Sequence, residues 1–372
     1  MKIRRNFFLC VFLFLMSNAV LTGAQAAMSN AVLTGAQAEK ITFKVGVLAP
    51  DGSTWANQLK LMNEDVKAAT QERVSFRFYF NGAQGDEDTV LAKLAVPGDR
   101  KQLQGGIFTG KTLGDIHPDV RALEVPFTFK NREEGYAALQ KNVKFLEDAL
   151  LSKDYKALGF YELGNIYLVT NKKAESLEQL KKDIKVWVWP NDPVALNMVE
   201  SLGLTSSPLS VAEVRGALSA NTINAAYSPP MAISALQWQG QIKYLIDEPL
   251  SYAVAAFVVD NKVFKKMSLQ DQKAVEEICK STAQKINEQT VIDNNKALES
   301  FRSLNQITFL KFPEGDKKSV KKIRDEVLTK LTNQKFFSAH ILNSLNLNVK
   351  EESPVVAPIA LEKSLTTPVK KI

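Results

Sequence analysis

The alternation of strand-like and helix-like stretches where the patterned sequence begins constrains the fold most. Residues 41–48 read ITFKVGVL, alternating and rich in β-branched types, which predicts a strand. A turn, APDGST, follows. Ser53 or Thr54 can cap a helix that collects Trp55, Leu59, Met62, Val66 and Ala69 near one face. Residues 74–80, VSFRFYF, predict a second strand. Strand, helix, strand in that order leads toward a parallel sheet covered by helices, an α/β architecture.

The same punctuation continues. Asn81 to Gly85 reads as a turn, and Asp86, Glu87 and Asp88 supply the acidic first turn of a helix. Residues 103–109 predict a short strand, and Pro126 steers Val125 into extended backbone. Helical patterns cover 132–140 and 143–152. Residues 157–170, ALGFYELGNIYLVT, predict a long strand whose length suits a crossing between lobes. Residues 184–189, IKVWVW, predict a strand closed by Pro190, and 252–259, YAVAAFVV, an apolar strand suited to a crossing back. Helices are expected at 193–202, 211–219 and 231–238. From Ser268 one helical run of roughly 30 residues, or two nearly continuous helices, reads as a brace between two lobes, because its apolar heptads are too ragged for a coiled coil. The expected organisation is a signal segment over 1–38, a first part of lobe I over 39–162 and lobe II over 163–255. A return to lobe I with the bridging helix covers 256–350, and a tail covers 351–372.

The N-terminus marks the chain for export. Lys2, Arg4 and Arg5 precede an apolar run at 7–15, and small residues end in the pattern Ala24-Gln25-Ala26. MSNAVLTGAQA occurs at 16–26 and again at 28–38, so cleavage can follow Ala26 or Ala38; patterned sequence starts directly after the latter. Cys10 lies inside the apolar run, away from a lipid-attachment position. Without the signal, Cys279 is the only cysteine, so no internal disulfide supports the exported fold. The formal charge is +7, with basic residues spread out and interrupted by acids. No basic stripe with interleaved aromatics points to nucleic acid.

Chemistry is sparse. The two histidines, His117 and His340, lack metal-ligand spacing, and no cysteine pair assists them, so neither a metal nor a cofactor is expected. No GxSxG or GxGxxG motif is present, and Gly105-Gly106 with Gly110 reads only as a loop signal. An exported enzyme would need a convergent acid/base pair such as Asp192 facing Glu162. The informative feature is a set of aromatic residues in loops and at strand ends. Trp187 and Trp189 alternate with valines and so project to one side of their strand.

At this point the chain resembles the DctP-type extracytoplasmic solute receptors of tripartite ATP-independent periplasmic (TRAP) transporters. The resemblance spans roughly 41–340 and rests on the order and spacing of several stretches. They include VGVLAPDGSTWA (45–56), FYFNGAQGDED (78–88), LEVPFTFKNREEGYAAL (123–139), IKVWVWPNDPVALNMVESLG (184–203) and PLSVAEVRGALSANTINAAYSPP (208–230), with YAVAAFVVDNKVFKKMSLQDQKAV at 252–275. It implies a two-lobed α/β periplasmic binding protein fold with a long helix bridging the lobes. It also implies a non-enzymatic role: capture of a small molecule and delivery to permease membrane subunits that run on an ion gradient. An additional periplasmic or lipoprotein partner is compatible with it.

One departure shapes the expected cargo. Family members commonly carry an arginine at the position of Trp187, where it clamps a ligand carboxylate with a two-pronged grip. Here an indole stands there, Tyr227 and Ser228 replace polar residues of the family pattern, and the crossing strand near Tyr167 lacks an arginine. The expectation is therefore an apolar or amphipathic solute. Its lining would be Trp55, Phe108, Phe127, Tyr167, Trp187, Trp189 and Tyr227, with Asn81, Asn191 and Ser228 making polar contacts. The rival expectation is a periplasmic scaffold that keeps the fold and binds no solute.

Overall fold

The computed structural model describes residues 40–347, Asn305 excepted. The signal segment, its duplication and the tail from 351 lie outside the described residues. The described chain forms two compact units, one of 40–107 with Phe257–Ile286, the other of Phe108–Ala256 with 287–347. The chain therefore passes between them at 107/108, 256/257 and 286/287. The sequence reading set its boundaries at 162/163 and 255/256. The first differs because the long strand β4 (Tyr155–Thr170) belongs wholly to the second unit, and so does the chain from 287 onward.

In the first unit, β1 (Ile41–Gly46) pairs in parallel with β2 (Val74–Tyr79), from Ile41 opposite Val74 to Gly46 opposite Tyr79. On its other edge β1 pairs in parallel with β3 (Gly105–Thr109). Helix α1 (Thr54–Ala69) connects β1 to β2. Ser53 caps it by accepting the Ala56 N–H, and its buried face is Trp55, Ala56, Leu59, Met62, Asn63 and Val66. Helix α2 (Glu87–Ala95) starts at Asp86, whose carboxylate accepts the Thr89 N–H. Phenylalanines form the centre of this core. Phe76 lies 5.4 Å from Phe43, 5.9 Å from Phe78 and 5.3 Å from Phe257.

In the second unit, α3 (Gly110–Ile116) and a 3-10 turn (Pro118–Glu124) lead to α4 (Arg132–Leu151), one continuous helix where the sequence pattern suggested two. Three short strands run parallel: β7 (Ala225–Ser228), β5 (Lys185–Val188) and β6 (Thr205–Pro208). β7 is antiparallel to β4, placing Tyr167 opposite Ser228. β8 (Tyr244–Ile246) joins β4 antiparallel and β10 (Thr308–Leu310) parallel. The links are α5 (Leu177–Asp183), α6 (Pro193–Ser201), α7 (Val211–Ser219) and α8 (Pro230–Ala235), and the final helices are α11 (Glu314–Asn333) and α12 (Ala339–Ser344). β9 (Ser251–Asp260), buried along nearly its whole length, carries the passage at 256/257 and leads to α9 (Asn261–Phe264).

Helix α10 (Leu269–Ser303) has 35 residues, about 52 Å at the usual rise, and its residues are shared between the units. Its buried stripe steps by three and four. In the first unit the stripe holds Val275, Cys279, Ala283 and Ile286. In the second it begins with amides. Asn287 accepts the Glu162 N–H at 2.9 Å, and Asn294 donates to the Leu163 carbonyl at 2.9 Å and accepts the Met231 N–H at 3.0 Å. The amides thus satisfy backbone groups of β4 and of the first turn of α8.

Candidate functional site

In open α/β sheets ligands gather beyond the carboxyl ends of the parallel strands. In the second unit those ends are Val188, Pro208 and Ser228, followed by the segments starting at Trp189, Leu209 and Pro229. Aromatic side chains converge there. Trp187 stacks on Tyr227 at 5.2 Å and 27°, meets Trp238 edge-on at 5.6 Å and touches Trp189 at 5.4 Å. Trp187 is only 2 % exposed, and its indole N–H donates to the Leu209 carbonyl at 2.8 Å. That bond ties β5 to the end of β6 and uses the single donor the side chain has. The strand alternation, read from sequence, correctly put both tryptophans on one side; the side is that of a core cluster with Val214, Leu218, Ile223 and Trp238.

Beneath the aromatics lies a buried ion cluster. Arg121, in the 3-10 turn, donates to both Asp192 oxygens at 2.6 and 2.8 Å and to the Glu124 carboxylate. Asp192 is also the N-cap of α6, accepting the Val194 and Ala195 N–H groups, so that helix start is already occupied by a carboxylate. Glu124 accepts the Val254 N–H from β9, and Gly110 packs on its carboxylate so closely that any Cβ would fall 2.0 Å from it. Desolvation pushes the Glu124 carboxyl above its ordinary range, although Arg121 and the Val254 N–H oppose it. Burial, with Asp192 nearby, holds the Tyr227 phenol well above its usual value.

A second network sits around β4. The Glu162 carboxylate, fully buried, accepts from Arg132 Nε at 2.8 Å, from the other arm of that guanidinium, and from the Tyr252 hydroxyl at 3.1 Å. Asp192 and Glu162, the pair imagined for an enzyme, are each held by a different arginine. Arg121 pairs locally with Glu124 three residues on, but its contact with Asp192, 71 residues away, and that of Arg132 with Glu162, 30 residues away, are encoded by no local spacing.

The other expected lining residues are placed as follows. Trp55 and Phe108 are core, at 7 % and 0 % exposure. Phe127 and Tyr167 are partly buried against cores of the second unit. Phe127 has φ 55°, a strained backbone for an aromatic residue, and donates its N–H to the Leu250 carbonyl. Asn81, exposed with φ 58°, accepts the Asp51 N–H and so pins the loop after β1. Asn191 is an exposed turn residue with φ 56°, and Ser228 is buried at the end of β7. The structure thus brings Trp187, Trp189 and Tyr227 together, with Asn191 and Ser228 at the same strand ends. Trp55 and Asn81 belong to the other unit.

Residues 45–335 match the family model described as bacterial extracellular solute-binding protein, family 7. The sialic acid-binding periplasmic protein SiaP of Vibrio cholerae is 24 % identical over 254 residues, covering 67 % of this chain and 77 % of that protein. A TRAP periplasmic solute-binding protein of Haemophilus influenzae with bound L-gulonate superposes with a TM-score of 0.74 at 18 % identity, over 82 % of this chain and 99 % of that one. DctP7 of Bordetella pertussis, binding pyroglutamic acid, gives 0.74 at 15 %, over 82 % and 99 %. Others with this fold hold D-glucuronate, β-D-galacturonate or orotic acid.

These findings overturn the expectation of an apolar or amphipathic cargo. The ligands held by structures of this fold are acids. In this chain the indole that was to supply the apolar wall is turned inward, its N–H spent on Leu209. Trp187 is therefore a packing residue of one unit and gives no apolar wall to a cleft. The family match over most of the chain, the two α/β units and the long shared helix make this chain a member of the DctP-type periplasmic solute-binding proteins of TRAP transporters, non-catalytic receptors for transport.

Proposed function

We propose that this receptor captures a small carboxylic acid, of the sugar-acid or cyclic organic-acid kind, in the periplasm and delivers it to the membrane subunits of a TRAP permease. The match of 45–335 to the solute-binding family carries this reading, with relatives of the same fold holding carboxylates. The chain stays net basic once Lys2, Arg4 and Arg5 are set aside, which favours the approach of anions at long range.

Thermal unfolding of the purified periplasmic protein against uronates, aldonates, orotate, pyroglutamate and C4-dicarboxylates tests it, with fatty acids and neutral aromatics as controls. A true ligand at hundredfold excess over its Kd raises Tm by about 5 °C. Stabilisation by the apolar controls alone, or by no acid, sinks the reading.

A further inference from the structure

Of the four tryptophans, Trp55, Trp187 and Trp238 are buried, whereas Trp189 is only partly buried. Its place is specific. It stands one residue beyond the carboxyl end of β5, and the Trp187 it packs on stacks in turn on Tyr227 of β7. Pro190 and the left-handed turn at Asn191 follow immediately, so the chain leaves the sheet there.

The indole is also held from behind. Trp187, against which it packs at 5.4 Å and 52°, is itself fixed by its bond to Leu209, by Trp238 and by Tyr227. An apolar face so fixed loses little conformational freedom when something flat is laid on it.

The charges nearby exclude another use of this edge. Arg121 is engaged by both Asp192 and Glu124, and the N-terminus of α6 is capped by Asp192. This edge of the second unit offers a solute an aromatic surface, and the buried Arg121 there is already engaged. The part of an acid that suits it is the carbon skeleton.

We propose that Trp189 is a specificity-determining residue whose partly buried indole stacks against a ring in the solute, so that this receptor selects cyclic acids over open-chain acids. The inference rests on the carboxylate reading above and narrows it to a subclass. Pyranose and heterocyclic rings present a flat face to an indole, which gains dispersion and buried apolar area. An open chain covers the same face only by giving up its internal rotations.

D-glucuronate and L-gulonate are a matched pair of probes. They share six carbons and one carboxylate, and L-gulonate is the open-chain product of reducing the aldehyde carbon of D-glucuronate. Calorimetric titration of the full periplasmic protein, extended to D-galacturonate, orotate and pyroglutamate, is expected to show ring acids binding about tenfold tighter than open-chain ones. Trp189→Leu should weaken the ring acids about tenfold and L-gulonate less than threefold, removing the preference, whereas Trp189→Phe should retain most of it. Ring acids should shift tryptophan emission in the wild type and not in Trp189→Phe. Circular dichroism of each variant shows that the fold is kept. Equal affinity for ring and open-chain acids in the wild type, or equal weakening of both by Trp189→Leu, overturns this inference and leaves the carboxylate reading standing. Failure of every acid to bind overturns that reading, and this inference with it.

Discussion

The two units solve the problem of burial with different materials. The first builds its centre from phenylalanine rings on β1, β2 and β9, and its ion pairs tie down its margins. Arg73 grips Asp271 at the start of α10 with two bonds of 2.7 and 3.0 Å, and Lys101 pairs with the N-cap Asp260. The second unit encloses charge inside. Arg121, Glu124 and Asp192 are all at least nine-tenths buried, as is Glu162, whereas in the first unit Asp260 and Asp271 are buried but their cations, Lys101 and Arg73, reach solvent. The difference teaches where each unit is vulnerable. Apolar rings tolerate changes of similar shape, whereas a buried ion cluster fails when one member is removed and the others remain unpaired.

The largest expected effect follows from that contrast. Arg121→Met leaves Glu124 and Asp192 buried without their cation and should cost about 3–5 kcal/mol in urea unfolding. Phe76→Leu in the first unit should cost about 1–2 kcal/mol. A loss from Arg121→Met no larger than that of Phe76→Leu would remove the distinction. Next in size is Gly135→Ala. A Cβ there would lie 2.5 Å from the Tyr252 ring, which Glu162 holds by its hydroxyl. The strain should cost about 1–3 kcal/mol, read as a fall in the urea midpoint. An unchanged midpoint would show that the ring moves freely and that the Glu162 network is looser than its geometry implies.

Legibility in the sequence follows the same division. The alternation in VSFRFYF announced β2 and its ring-bearing face, and the helical periodicity after Ser268 announced α10, because in both cases the burial pattern repeats along a contiguous stretch. The passage at 107/108 left no mark, since β3 crosses it as an ordinary buried strand. The ion clusters were invisible for another reason. Glu162 finds Tyr252 90 residues on and Asn287 125 residues on, so no local spacing encodes the contact. Trp187 misled because alternation shows which side a residue takes and not what covers that side. Leu209, 22 residues later, consumes its N–H.

The smallest effect is also the one that separates the units by sign. Arg73, by hydrogen bonding, holds the Asp271 carboxyl below its ordinary 3.8. Its contribution to stability is therefore complete above that value and disappears as pH falls through the lower folded value. Glu124 is displaced the other way, above its ordinary 4.5, chiefly by desolvation. The folded protein takes up that proton before the unfolded chain does, so this group makes stability rise as pH falls from its folded value toward 4.5. Urea midpoints from pH 3 to 7 should resolve both. Asp271→Asn should cost about 1 kcal/mol at neutral pH, because the Arg73 side of the pair is partly solvated, and its deficit should shrink below pH 3.8. Glu124→Gln, similar in shape and still able to accept the Val254 N–H, should lose the rise toward 4.5 that the wild type shows. If the two variants change the pH profile in the same direction, the assignment of marginal ion pairs to one unit and a desolvated cluster to the other is wrong.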